Sequence, residues 1–131
     1  MLQTILFIDD DPITIMLCKM VITKASFSNE IATAKNGEEA LKYFDSLKTN
    51  PTIKKPQLIF LDLNMPVMNG WEFLDSFISR EYSEYHNTKV IILSSTIDPH
   101  DLEKSKKYPM VLDFLPKPIS KEMLEFLKDK I

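Results

Sequence analysis

The sequence predicts an α/β fold in which five β–α units build one doubly wound parallel sheet. Three observations lead there. Four short apolar runs, at residues 5–8, 58–61, 90–93 and 111–115, lack strict polar alternation, as strands covered on both faces do. Segments of roughly twenty residues separate them, long enough for the helical crossovers that parallel pairing demands. A weaker fifth run, Glu30-Ile31-Ala32-Thr33-Ala34, completes the set.

Each crossover carries a helix start. Asp11-Pro12 supplies a capping carboxylate and a first-turn proline, and Ile13, Met16, Leu17, Met20 and Val21 then follow at the spacing of a buried face. Asn36 with Glu39 resembles a capping box ahead of Ala40, Leu41 and Phe44. After an Asn69-Gly70 turn, Trp71, Leu74, Phe77 and Ile78 form the expected inner stripe of a third helix. Asp98-Pro99 opens a fourth helix with only Leu102 as a strong apolar anchor, so it is expected to be the most loosely held. Ser120 caps a fifth, with Leu124, Leu127 and Ile131 inward. Residues 48–55 and 81–87 read as polar surface loops.

The 131 residues fit one domain spanning 1–131, and Met1 just before the first strand reads as a natural start. Hydrophobic residues make up 44%, enough for a core. A net charge of -3 argues against nonspecific binding to nucleic acid or anionic membranes. The single cysteine, Cys18, excludes an internal disulfide and fits a reducing compartment; with no secretory n-region and no long apolar span, a cytoplasmic location is expected.

Polar groups terminate the apolar runs. Asp9 and Asp10 follow the first, Asp62 the second, Ser94 the third, and Lys117 the fourth by way of Pro116. If these are parallel strands, all of them meet at the carboxyl edge of one sheet, where ligands of open α/β folds bind. Three carboxylates together repel one another unless a hard cation such as Mg²⁺ and an ammonium relieve the charge. A central carboxylate can attack phosphorus, and a hydroxyl and an ammonium can then hold the transferred group.

Four stretches in order carry a family resemblance: Ile8-Asp9-Asp10-Asp11-Pro12, Leu61-Asp62-Leu63-Asn64-Met65-Pro66 with Asn69-Gly70, Leu93-Ser94-Ser95, and Lys117-Pro118. On these the chain resembles the receiver domain of two-component response regulators, of the stand-alone type, over essentially its whole length. The resemblance implies a flavodoxin-like (βα)5 fold with strand order 2-1-3-4-5. It implies that Asp62 accepts a phosphoryl group from a histidine kinase or phosphotransfer protein. Asp10, Asp62 and the Asn64 backbone carbonyl would ligate Mg²⁺, and Asp9 would act through water. Ser94 would be the switch hydroxyl, Phe114 the switch aromatic, and Lys117 a contact to the phosphoryl group, with a cis Lys117-Pro118 peptide. A downstream protein target and a monomer or weak dimer are expected, with neither nucleic acid nor membrane as partner. The chain departs from the family pattern at Lys107-Tyr108-Pro109-Met110, where a Gly-Ala pair is frequent, and at Phe114, which lacks a phenol oxygen. Thr96 is a neutral residue where side chains influence phosphoryl lifetime.

Two other functions fit parts of the pattern. One is an interaction module that binds partners without phosphorylation. The other is an acid phosphatase, which would want a second aspartate two residues after Asp62, where Asn64 stands. Elsewhere, Asp11 reads as a helix cap, Cys18 as a buried thiol, His86 and His100 as surface histidines, Trp71 as packing, and the Lys104, Lys106 and Lys107 run as a solvated face or docking patch.

Overall fold

The computed structural model describes residues 2–50 and 52–131. Met1, with the start assigned to it, and Pro51 of the 48–55 loop lie outside the described residues. The elements run β1 (Leu2–Ile8), α1 (Pro12–Lys24), β2 (Ser28–Ala34), α2 (Gly37–Thr49), β3 (Leu58–Asp62) and α3 (Gly70–Phe77). A 3₁₀ segment (Arg80–Tyr85) leads to β4 (Lys89–Ser94), α4 (Pro99–Ser105), β5 (Val111–Pro116) and α5 (Lys121–Lys128). All strand pairs are parallel, in the order β2-β1-β3-β4-β5.

The sheet separates two cores. Leu6, Ile8, Ile59, Leu61, Val90 and Ile92 face α2 and α3. Their strand neighbours Ile5, Phe7, Leu58, Phe60, Ile91 and Leu93 face α1 and α5. That alternation of side explains why the central strands are apolar throughout. A register shift where β4 meets β5 sets Val90 beside Val111 but Ile91 beside Asp113. Because side chains alternate, the slip turns Phe114 into the α2/α3 core while Asp113 pairs with Lys130 on the other face.

Several local expectations change. The α1 stripe is not a buried face: Ile13, Met16, Leu17 and Met20 are all at least half exposed, and α1 buries Cys18 and Ile22 instead. In α3 the inner residues are Phe73, Leu74 and Phe77, while Trp71 is half-buried and Ile78 lies exposed past the helix end. Ile131 likewise falls beyond α5 and is exposed. The 81–87 stretch is no polar loop, since Tyr82 and Tyr85 insert from the 3₁₀ segment into the core around Phe44 and Phe77. His86 is half-buried there, its Nε2 2.7 Å from the Phe77 carbonyl. Helix α4 buries only Ser105, and Leu102 is exposed. The capping box at Asn36 is half-formed: its side chain accepts from the Glu39 N–H, but Glu39 reaches back to the Lys35 N–H. The complete box belongs to Asn69 and Glu72.

Candidate phosphoacceptor and metal site

The carboxyl edge of the sheet gathers Asp9, Asp10, Asp62, Ser94 and Lys117. Asp62 is the last residue of β3 and pairs in register with Leu93, one residue before Ser94. Ser94 pairs with Pro116, and its carbonyl accepts from the Lys117 N–H at 2.8 Å. Asp9 follows β1, its N–H bonded to the Ala34 carbonyl of β2 at 3.0 Å. Ladder register, set by the hydrophobic strands, thus fixes the spacing of the polar groups.

The three aspartates each offer a carboxylate oxygen within 4.8 Å of the others. Their environments differ. Asp9 is almost fully buried, and both its oxygens are engaged: Oδ1 accepts from the Asp11 N–H at 3.0 Å, and Oδ2 from Lys117 Nζ at 2.7 Å. Asp10 is exposed. Asp62 is buried, with Lys117 Nζ 3.3 Å from its Oδ1. An all-oxygen donor set with one exposed member suits a hard divalent cation that keeps part of its water shell.

Burial pushes the Asp62 carboxyl above its ordinary value and Asp9 adds to the push; Lys117 and the Asn64 N–H draw it back without cancelling the rise. For Lys117, burial disfavours the ammonium, but the hydrogen bond to Asp9 and the charges of both carboxylates outweigh it, and its pKa is raised. The exposed Asp11 carboxyl is held low by the Thr14 hydroxyl and the Ile13 N–H, as a helix cap should be.

Ser94 is buried at the site, but its Oγ donates to the Thr96 carbonyl at 2.6 Å, not to Asp62. Phe114 is buried in the α2/α3 core. The Lys117-Pro118 peptide is cis. Asn64 is exposed, two residues past Asp62, and its N–H faces the Asp62 carboxylate.

Two features of the loop after Asp62 go beyond what the sequence predicts. Gly70 is the first residue of α3, and a Cβ there would lie 2.6 Å from the Asp62 carbonyl oxygen and 2.9 Å from Leu63 Cα. Glycine lets the helix start press on the backbone that holds the central aspartate. Val67 adopts a φ of +69° and is exposed, an unfavourable conformation for a β-branched residue. A glycine after asparagine signals a turn, whereas nothing in the local sequence signals the Val67 backbone.

Beyond the loop, Trp71 stacks on Tyr108 with ring centroids 5.8 Å apart, and Lys104 of α4 sits 4.7 Å above the Trp71 ring. The Tyr108 hydroxyl donates to Asp75 of α3 at 2.6 Å. The 107–110 stretch therefore buries Tyr108 and Met110 where a Gly-Ala pair would bury little.

The family model described as "Response regulator receiver domain" matches residues 5–127. Among curated proteins, a Bacillus subtilis (strain 168) protein-glutamate methylesterase/protein-glutamine glutaminase is 33% identical over 96% of this chain, which spans 32% of that protein. The nitrate/nitrite response regulator NarL of Escherichia coli (strain K12) is 40% identical over 61% of this chain, which spans 34% of it. The chain thus covers about a third of the length of these relatives, but 68% of the chemotaxis protein CheY of Thermotoga maritima, to which it is 31% identical over 71% of its own length. Among solved structures, a two-component response regulator from Cytophaga hutchinsonii superposes with a TM-score of 0.89 at 30% identity, covering 98% of this chain and 96% of that one.

Proposed function

The chain belongs to the response regulator receiver domain family, and from that membership we propose that Asp62 accepts a phosphoryl group from a histidine kinase or histidine phosphotransfer protein in a Mg²⁺-dependent reaction. Receiver domains of this family act in two-component signalling and bind divalent metal at an acidic pocket. We assign the whole chain, 1–131, to that single domain.

One observation supports the assignment above the rest: Asp62 is the central carboxylate, buried, with an ammonium at 3.3 Å and two further carboxylates close by. In the proposed step an Asp62 oxygen attacks phosphorus, the N–P bond of the phosphohistidine breaks, and the imidazole leaves with the bonding pair. Asp10, Asp62 and the Asn64 carbonyl would hold Mg²⁺, and Asp9, with both oxygens engaged, would reach it through water. The bound cation supplies charge neutralisation for the transferring oxygens. Lys117 holds Asp9 in place and offers its remaining hydrogens to the phosphoryl group. Ser94 would exchange its bond to the Thr96 carbonyl for one to a phosphoryl oxygen.

The switching reading follows from that exchange. Release of the Thr96 carbonyl loosens the segment leading into α4, the helix that buries only Ser105. A new arrangement of α4, β5 and α5, with Phe114 repacked, would alter affinity for a downstream protein. The chain would act on no substrate beyond its own aspartyl phosphate. The methylesterase named in the Bacillus subtilis relative belongs to a protein of which this chain spans 32%. Among the described residues no helix is long and apolar enough to cross a membrane.

The test is transfer of radiolabel from an autophosphorylated histidine kinase to the purified chain. Label should appear on the wild type, require Mg²⁺, and be absent from Asp62→Asn. Equal labelling of the variant would contradict the assignment.

A further inference from the structure

Helix α4 is held at its two ends and by little between them, since it buries only Ser105. At the amino end, the Ser94 hydroxyl donates to the Thr96 carbonyl at 2.6 Å and ties back the segment that leads into the helix. At the carboxyl end, two side chains reach across to α3. Lys104 Nζ lies 4.7 Å from the centre of the Trp71 ring. The Tyr108 hydroxyl donates to Asp75 at 2.6 Å, and its ring stacks on Trp71.

Tyr108 is fixed to α4 by its backbone. Its N–H donates to the Ser105 carbonyl at 3.2 Å, and its carbonyl accepts from the Val111 N–H at 3.0 Å where β5 begins. A displacement of α4 against α3 therefore breaks the phenol–carboxylate bond, parts the two rings and draws Lys104 off Trp71. That bond is short, charge-assisted and made by a buried phenol, so its loss weighs heavily against the displacement. Tyr108 stands in the 107–110 stretch, where the chain departs from the family pattern, so the restraint belongs to this chain.

We propose that Lys104, Trp71, Tyr108 and Asp75 form a latch that holds α4 in its resting place and thereby sets how readily Asp62 takes a phosphoryl group. The inference rests on the phosphoacceptor reading, in which the Ser94 hydroxyl leaves Thr96 for a phosphoryl oxygen. That exchange frees the amino end of α4 and leaves the latch to oppose the shift. By linkage, whatever disfavours the shifted arrangement also weakens binding of any group that favours it. The apparent dissociation constant of such a group rises as the receptive state becomes rarer. Breaking the latch should tighten binding at Asp62, whereas loss of a merely structural contact gives no gain.

Calorimetric titration of the chain with beryllofluoride in Mg²⁺ tests this, the tetrahedral anion standing in for a phosphoryl group on a carboxylate. Trp71, next to Gly70 and the site, is left in place. Tyr108→Phe should bind about tenfold more tightly than the wild type, and Lys104→Met about threefold more tightly. Lys104→Arg keeps a cation over the ring and should stay within about twofold of the wild type. Tyr108→Phe and Asp75→Ala remove the same bond, so the double variant should gain no more than either alone. Tyr82→Phe is the control: it loses the same kind of bond, to Asp45 of α2 at 3.0 Å, and should leave the affinity unchanged. No gain in Tyr108→Phe, or an equal gain in Tyr82→Phe, would overturn the latch while leaving the phosphoacceptor reading intact. A wild type that binds no better than Asp62→Asn would overturn that reading, and the latch with it.

Discussion

Lys117 binds Asp9 more closely than Asp62: its Nζ lies 2.7 Å from Asp9 Oδ2 and 3.3 Å from Asp62 Oδ1. The lysine and the Asp11 N–H together occupy both oxygens of the most buried carboxylate in the cluster. Asp10 and Asp62 keep more of their oxygen lone pairs free. The cluster is therefore divided, with one carboxylate serving to position the lysine and two left able to take a cation.

Removing that lysine should cost stability as well as function. Lys117→Ala leaves Asp9 buried with a single hydrogen bond, and breaking such a pair costs about 3 kcal/mol. Urea denaturation in EDTA measures the effect. A loss below about 0.5 kcal/mol, the size of an ordinary surface change, would mean that Asp9 does not depend on the ion pair.

Neutralising Asp62 should do the opposite in the metal-free protein. Its pKa is raised above the ordinary 3.8 mainly by burial, so the fold binds that proton more tightly than the unfolded chain does. Stability from such a group is present below 3.8 and lost as pH rises through the folded value. At pH 7 the ionised carboxylate weighs against the fold, and Asp62→Asn removes the penalty. The variant's urea midpoint in EDTA should exceed that of the wild type, with a smaller decline as pH rises from 3.8 toward 7. An equal or lower midpoint would contradict the burial argument.

These two expectations rest on residues legible in the amino-acid sequence, because the site is made by strand ends. Hydrophobic runs announce the strands, and the residue after each run has to fall on the same edge. The α1 stripe misleads for a related reason: periodicity reports that a face is apolar, not whether this chain or another molecule covers it. Tyr82 and Tyr85 hide among the charges of residues 80–84, where no regular period distinguishes two inserted rings from a polar loop. Ile78 fits the α3 period as well as Phe73 does, but the helix ends at Phe77 and leaves Ile78 outside. The direction of the Ser94 hydroxyl depends on the fold of residues 94–96, which no spacing encodes.

Val67 offers a test of the loop backbone. Holding a β-branched residue at a φ of +69° costs roughly 1–2 kcal/mol, and glycine's greater unfolded-state freedom offsets part of its relief. Val67→Gly should therefore raise stability by about 0.5–1 kcal/mol, since the side chain is 75% exposed and packs on little. Destabilisation in urea would show that the loop does not hold this conformation.

Tyr108 tests the clamp between α3 and the segment after α4. Its hydroxyl donates to the Asp75 carboxylate, so Tyr108→Phe should cost about 1.5–3 kcal/mol. Burial, then Asp75, pushes the phenol from 10.0 to about 12. Stability tied to it is whole below pH 10 and declines toward pH 12. Tyr82 is raised to about 12 as well, by burial and Asp45, so the Tyr108→Phe variant should retain a shallower decline, not a flat profile. Denaturation midpoints from pH 9 to 11.5 for both proteins give the comparison; parallel slopes would contradict the Tyr108–Asp75 bond.

Intact mass after incubation with acetyl phosphate, with and without Mg²⁺, tests the central claim most directly. The account requires a gain of one phosphoryl group in the wild type, dependent on the metal and absent from Asp62→Asn. The same gain in Asp62→Asn, or an equal gain without Mg²⁺, would contradict it.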